Sequence, residues 1–284
     1  MSNFSIGVLL DSFRCDFPSA MKKAASMGIT GLQVYATGGD MAPENMTDAK
    51  IRDFLSECHD NGLTVSALCG DLGQGFSDKE KNPALIARSK LILDLAKKMG
   101  TDIVTTHIGV VPEDEHCDTY KIMQEACFEL SSYADSIGSH FAVETGPEPA
   151  ERLCRFLDTL SSTGVAVNLD PANLVMVTGD DPVKAVYTLK KYIVHTHAKD
   201  GKMLKRTNAN EIYSGDAQSD LEAQGAAFIE LPLGRGDVDY PAYLAALKSI
   251  GYNGFLTIER EVGENPDTDI RLAADFLREK ISEM

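Results

Sequence analysis

Five apolar runs in this sequence end in a side chain that can hold a metal ion or move a proton. His107 closes DIVTTH, Glu144 closes HFAVE, Asp170 closes VAVNLD, His197 closes YIVHTH and Glu259 closes GFLTIE. Each alone has an ordinary explanation, because a carboxylate after a strand often caps the next helix and a histidine is often a hydrogen-bonded core residue. Together they need another one. Three carboxylates and an imidazole brought to one point repel one another unless a cation offsets the charge. Such an oxygen-rich donor set predicts one divalent ion, with Mn²⁺ expected and Mg²⁺, Co²⁺ or Zn²⁺ as alternatives; a closed tetrahedral zinc site fits it less well. Bound there, an ion would polarise a sugar carbonyl and stabilise the enediolate left when the neighbouring C–H proton is removed. Glu144 and Glu259, from strands on opposite sides of the site, combine metal ligation with removal or return of that proton.

Groups so far apart in sequence converge only if the strands carrying them end on one face. The expected strands are Phe4–Leu10, Gly31–Tyr35, Thr64–Leu68, Asp102–His107, His140–Glu144, Val165–Asp170, Tyr192–His197 and Gly254–Glu259, each followed by an amphipathic helical stretch. Asp180, Asp181 and Pro182 read as a helix start, and Gly100, Gly138 and Gly251 as residues just past helix ends. Eight βα units, with no G-x-G-x-x-G after the first strand, predict a closed (β/α)₈ barrel rather than an open doubly wound sheet. No linker breaks the pattern, so residues 1–284 form one domain. The connection 198–239 is far longer than the others, carries Lys199, Lys202, Lys205 and Arg206, and is expected to act as a lid over the site.

The chain has 284 residues and a formal net charge of −16, which argues against a nucleic-acid partner. Its six cysteines show no C-x-x-C pair, and its start has neither a basic segment nor an apolar run long enough for a signal peptide or membrane span. A soluble cytoplasmic protein with reduced thiols is expected.

FAVETG around Glu144, NLDPAN around Asp170, HTHAKD around His197, LPLGRGDVDY at 231–240 and GYNGFLTIERE ending at Glu261 give the sequence a family resemblance. Over nearly its whole length it resembles the xylose isomerase-like barrel superfamily of sugar and sugar phosphate isomerases and epimerases, distantly related to endonuclease IV. The resemblance to tagatose 3-epimerase-like members implies that Glu144, Asp170, His197 and Glu259 hold one divalent metal and that the two glutamates exchange the proton. Two positions depart from the epimerase pattern. Asn173 stands where a substrate-contacting histidine is usual, and Met203 where an arginine is usual, with Lys199, Lys202 or Arg235 as replacements. The additional zinc-binding histidines of endonuclease IV are absent. His107, Asn173, Lys199 and Arg235 are therefore the expected substrate-binding residues. His195 is expected to support the site, Asp200 to orient the long loop, and Glu148 and Glu151 to cap a helix. Relatives are often oligomers, which implies a homo-oligomer.

These readings predict a metal-dependent isomerase or epimerase of a small sugar or sugar phosphate. A lyase, dehydratase or deglycosidase acting on a keto sugar shares the first proton removal and is the alternative, with His107, His195 or Tyr213 as the general acid. A non-catalytic sugar-binding subunit of a complex is the third reading.

Overall fold

A computed structural model describes residues 4–213 and 227–284. The short β-branched runs form strands β1 (Ser5–Leu9), β2 (Gly31–Tyr35), β3 (Thr64–Cys69), β4 (Ile103–Thr106), β5 (His140–Glu144), β6 (Val165–Leu169) and β7 (Ile193–Ala198). After two shorter strands, β8 (Asp200–Met203) and β9 (Phe228–Leu231), the last barrel strand is β10 (Phe255–Ile258). β1 to β7 and β10 pair in parallel and close into a barrel in the order β1-β10-β7-β6-β5-β4-β3-β2. The fold is the expected single (β/α)₈ barrel. Closure brings β1 beside β10, with Ser5 paired to Phe255 and Val8 to Ile258. At Gly31 a Cβ would sit 2.3 Å from the Phe255 ring, so the seam tolerates no side chain there.

Helix ends follow the chemistry of their flanking residues. Asp181 accepts hydrogen bonds from the Val183 and Lys184 amides ahead of Pro182, a cap worth about 1 kcal/mol. Gly100, Gly138 and Gly251 take φ values of 83°, 61° and 81° just past helix ends. The core is an apolar shell between strands and helices, with Leu32, Leu68, Ile92, Phe141 and Phe156 fully buried. All six cysteines are free thiols. Among the described residues no helix is long and apolar enough to cross a membrane.

The segment expected to be one long loop, 198–239, contains more structure than its sequence predicts. β8 and β9 pair antiparallel, Asp200 opposite Leu231 and Met203 opposite Phe228, and a short helix spans Ala209–Tyr213. Residues 214–226 of this segment lie outside the described residues. Asp200 ties it together, as expected for a loop-orienting residue: its carboxylate accepts from the amides of Gly201, Gly234 and Gly236 at 2.9 Å and of Val238 at 3.2 Å. Asp200 is 1% exposed. Removing that acceptor strands several buried N–H groups, so Asp200→Ala should lower stability by about 3 kcal/mol, measured as the midpoint of denaturant unfolding.

Candidate active site

Parallel strands place their C-terminal ends on one face, and there Glu144, Asp170, His197 and Glu259 converge. One donor atom from each lies within 4.8 Å of all the others. Glu144 ends β5 and His197 lies within β7, while Asp170, Glu259 and His107 come one residue after β6, β10 and β4. All four clustered residues are buried, Asp170 completely. The His197 Nδ1 sits 3.3 Å from Asp170 Oδ2, 3.2 Å from Glu259 Oε2 and 3.5 Å from Glu144 Oε1. Asp170 also caps the turn after it, its Oδ1 accepting from the Asn173 amide at 2.9 Å.

A polar layer beneath fixes these groups. His197 Nε2 lies 2.9 Å from Gln33 Oε1, so this nitrogen donates and Nδ1 is the one turned toward the carboxylates. Gln33 in turn donates to Thr105 Oγ1 at 2.8 Å. Asn168 donates to Glu144 Oε2 at 3.0 Å, and Asn173 donates to Glu144 Oε1 at 3.1 Å. His195 is buried between Asn168 Oδ1 at 2.8 Å and Thr257 Oγ1 at 2.9 Å, where burial first and the neighbouring His197 second hold it well below its ordinary pKa. It is a satisfied, neutral histidine of the supporting layer. Three hard oxygen donors and one oriented imidazole nitrogen form a set that could hold a divalent cation.

Lys199 is the main local counter-charge. Expected to bind substrate, it is 4% exposed and lines a cavity with Glu259. Its Nζ donates to Glu259 Oε2 at 3.0 Å, forms a close ion pair with Glu261 and lies 4.0 Å from Glu230. Burial opposes its charge, yet Glu259 and Glu261 keep it well above the ordinary lysine range. Burial likewise opposes ionisation of Glu259, but His197 and Lys199 together hold it well below the ordinary carboxylate range.

Glu144, His197 and Glu259 of the cluster line a cavity of about 160 Å³, with Asp170 buried behind them. His107 and Asn173 line it with Glu144, His197, Lys199 and Glu259, and Met176, Ile212, Tyr213 and Phe228 form its apolar side. His107 donates from Nδ1 to Asp71 Oδ2 at 2.9 Å, packs its ring 5.2 Å from that of Tyr213 and points Nε2 at Glu144 Oε1 across 3.7 Å. Burial pushes His107 down, but Glu144 and Asp71 raise it to about 9. Arg235 is not brought in. It is exposed and lies outside the cavity lining, because the turn at Gly234 and Gly236 is bound to Asp200.

The sequence left several residues of this site unmarked. Gln33 and Asn168 did carry a signal, each being a polar side chain inside an otherwise apolar strand. Asp71, Glu230 and Glu261 carried none, because their partners are distant in sequence or belong to other elements. Glu148 is also not the helix cap it was expected to be. Its Oε2 accepts from the Val111 amide at 2.9 Å, and among the described residues its Oε1 meets no hydrogen-bond partner. Burial raises its pKa to about 7 against the pull of the Val111 amide, Arg152 and His107. The folded protein therefore keeps a proton that the unfolded chain releases near 4.5, so stability present below that pH is lost as pH climbs through 7. Glu148 contributes a fall of about 3 kcal/mol across this window, opposed by the buried neutral His195, so the stability difference between the parent and Glu148→Gln should change by about that amount between pH 4.5 and 7, as measured by urea unfolding at a series of pH values.

Residues 21–280 match the family described as xylose isomerase-like TIM barrel. A curated relative, the rhizopine catabolism protein MocC of Rhizobium meliloti, is 29% identical over 140 residues, or 48% of this chain. The match spans 40% of that relative's own length. Among solved structures, a xylose isomerase domain protein from Planctomyces limnophilus superposes with a TM-score of 0.79 at 25% identity, covering 99% of this chain and 97% of that one. D-psicose 3-epimerase from Clostridium cellulolyticum H10, solved with D-tagatose, superposes with a TM-score of 0.72 at 17% identity, covering 98% and 99% of the two chains; at that identity the likeness is one of fold. With the family match covering most of the chain and the eight-stranded barrel agreeing with it, this protein belongs to the xylose isomerase-like TIM barrel family.

Proposed function

We propose that this protein is a divalent-metal-dependent isomerase or epimerase of a sugar or sugar phosphate, in which Glu144 and Glu259 transfer a proton beside a carbonyl. The observation that carries the reading is the placement of two buried glutamates, one ending β5 and one just after β10, at 3.5 and 3.2 Å from His197 Nδ1 and in the wall of one small cavity. Glu144, Asp170, His197 and Glu259 would hold the ion, Mn²⁺ by preference. When bound, it supplies a Lewis acid that polarises the carbonyl and lowers the cost of the enediolate charge.

The protein's own groups do the rest. Asn168 and Asn173 each hold one oxygen of Glu144, which fixes the direction from which that carboxylate approaches a C–H bond. Lys199 holds Glu259 and keeps it ionised, the state in which it can accept a proton. Ile212, Tyr213 and Phe228 give the cavity an apolar wall, which limits the water able to protonate a carbanion-like intermediate at random. His107, fixed by Asp71, presents Nε2 to the cavity as a donor for a substrate oxygen.

That same donor favours a second reading, elimination. Its Nε2, without a hydrogen-bond partner among the described residues and lining the cavity, is placed to protonate a leaving hydroxyl or alkoxide. Proton NMR in D₂O with a panel of ketoses and 3-keto sugars, using Mn²⁺-loaded and chelated protein, tests both. Deuterium entering beside the carbonyl only with the metal supports proton transfer. A saturated product then means an isomerase or epimerase, and an unsaturated one a lyase. If no sugar of the panel exchanges, the reading fails.

A further inference from the structure

Resting on the metal-dependent reading above, we propose that the Lys199 ammonium is a built-in second cation. It fills the neighbouring position of a centre that two divalent ions would otherwise share, and so fixes the metal requirement at one ion. The observation that carries this is the sharing of a single oxygen. Glu259 Oε2 lies 3.2 Å from His197 Nδ1, within the four-residue cluster, and also accepts from Lys199 Nζ at 3.0 Å. Beyond Glu259, Nζ meets Glu261 in a close ion pair and Glu230 at 4.0 Å. One carboxylate oxygen thus faces two cation positions, and further carboxylates stand around the second. Two positions joined by a common oxygen ligand are the arrangement of two-metal centres, whose ions sit roughly 3.5–4 Å apart.

The second position is built by the fold and is not a surface ion pair. A lysine ordinarily lays its stem on the protein and keeps its ammonium in water, whereas Lys199 is 4% exposed. Among the described residues every group that its Nζ meets is a carboxylate. The backbone that carries it is fixed on both sides of the side chain. The Lys199 carbonyl accepts from the Tyr240 hydroxyl at 2.9 Å, and the next residue, Asp200, is bound by four amides. Glu230 is held in turn, its Oε1 accepting from Arg260 at 2.6 Å and from the Glu261 amide at 3.2 Å. Segments after β7, in β9 and after β10 therefore converge on one cation, and the chain supplies that cation itself.

What occupies this position decides what Glu259 can do. A divalent ion there would bind Oε2 directly and, with the first ion, draw on both sides of the same oxygen, which makes a carboxylate a poor proton acceptor. An ammonium is a compact point charge that donates a hydrogen bond without coordinating. It offsets the charge of Glu259 and leaves the carboxylate able to take up a proton. Lys199 is in this sense a positioning residue that sets metal stoichiometry.

The test counts ions. Chelated full-length parent, Lys199→Ala, and Lys199→Ala combined with Glu261→Gln are titrated with Mn²⁺ alone, the bound metal being counted by elemental analysis and its surroundings read by electron paramagnetic resonance. The parent should take about one Mn²⁺ per chain and give the spectrum of isolated ions, whereas Lys199→Ala should take about two, with a signal broadened by coupling between neighbours. Adding Glu261→Gln should return the count to about one, because a carboxylate of the second position is gone. Lys199→Ala should stay folded, since Arg260 still pairs with Glu230 and Glu261 is exposed to solvent. The parent tests the proposal without any variant: a second, coupled Mn²⁺ bound beside Lys199 overturns it. A folded Lys199→Ala that holds one uncoupled ion also overturns it and leaves the one-ion isomerase reading standing. A parent that binds no Mn²⁺ removes both.

Discussion

Glu259→Gln should lower metal-dependent deuterium exchange and turnover by about 10²–10⁴-fold while leaving the protein folded. The substitution keeps the shape of the side chain and removes its ability to accept a proton. It does not orphan the buried Lys199, whose ammonium also pairs with Glu261 and lies near Glu230. Unfolding should therefore shift little, whereas loss of a sole counter-charge would be expected to unfold the site. Glu144→Gln should give a similar loss, its single amide oxygen keeping only one of the two hydrogen bonds that Asn168 and Asn173 donate to the carboxylate. The two variants should differ in stereochemistry. If each glutamate serves one face of the carbon, each variant retains residual exchange from the opposite face only, visible as deuterium in one epimer. Full turnover in Glu259→Gln, with its metal content unchanged, would remove the assignment of Glu259 as a base.

The barrel was legible because each inner strand carries its own signal. β2 and β5 begin and end where the apolar runs of their sequences do, and the other barrel strands differ by one or two residues at their ends. The site was legible for the same reason: a titratable group closing an apolar run is conspicuous, and strand ends of a barrel converge. The segment 198–239 was not. β8 reads Asp-Gly-Lys-Met, a composition with little preference for a strand, and its pairing with β9 depends on Asp200 gathering amides from more than thirty residues downstream. The burial of Lys199 was not legible because burial of a lysine is decided by its partners. Here Glu230 and Glu261 come from other parts of the chain and have no local mark. Arg235 erred in the opposite sense, since its basic character suggested a ligand while the turn that carries it is bound away from the cavity.

Loading chelated protein with Mn²⁺ should raise its melting temperature by about 10 °C at an ion concentration near a thousand times the dissociation constant. Binding to the folded state alone contributes about 4 kcal/mol under those conditions, and a chain of this length gains roughly 2–4 °C per kcal/mol. The expectation comes from the energetics of the cluster. Glu144, Asp170 and Glu259 bring three carboxylates within reach of one imidazole in a buried volume, with Lys199 as the adjacent fixed cation. Their mutual repulsion is relieved when a divalent ion enters. Asp170→Asn separates this ligand role from the structural one. Asparagine can still accept from the Asn173 amide and keep the cap, so chelated variant and chelated parent should melt at similar temperatures. The gain on adding Mn²⁺ should nonetheless largely disappear, because a hard anionic donor has been replaced by a neutral one. A parent protein whose melting temperature does not respond to Mn²⁺, Mg²⁺, Co²⁺ or Zn²⁺ would mean that Lys199 and a protonated His197 balance the carboxylates by themselves. The proton-transfer mechanism would then lose its Lewis acid.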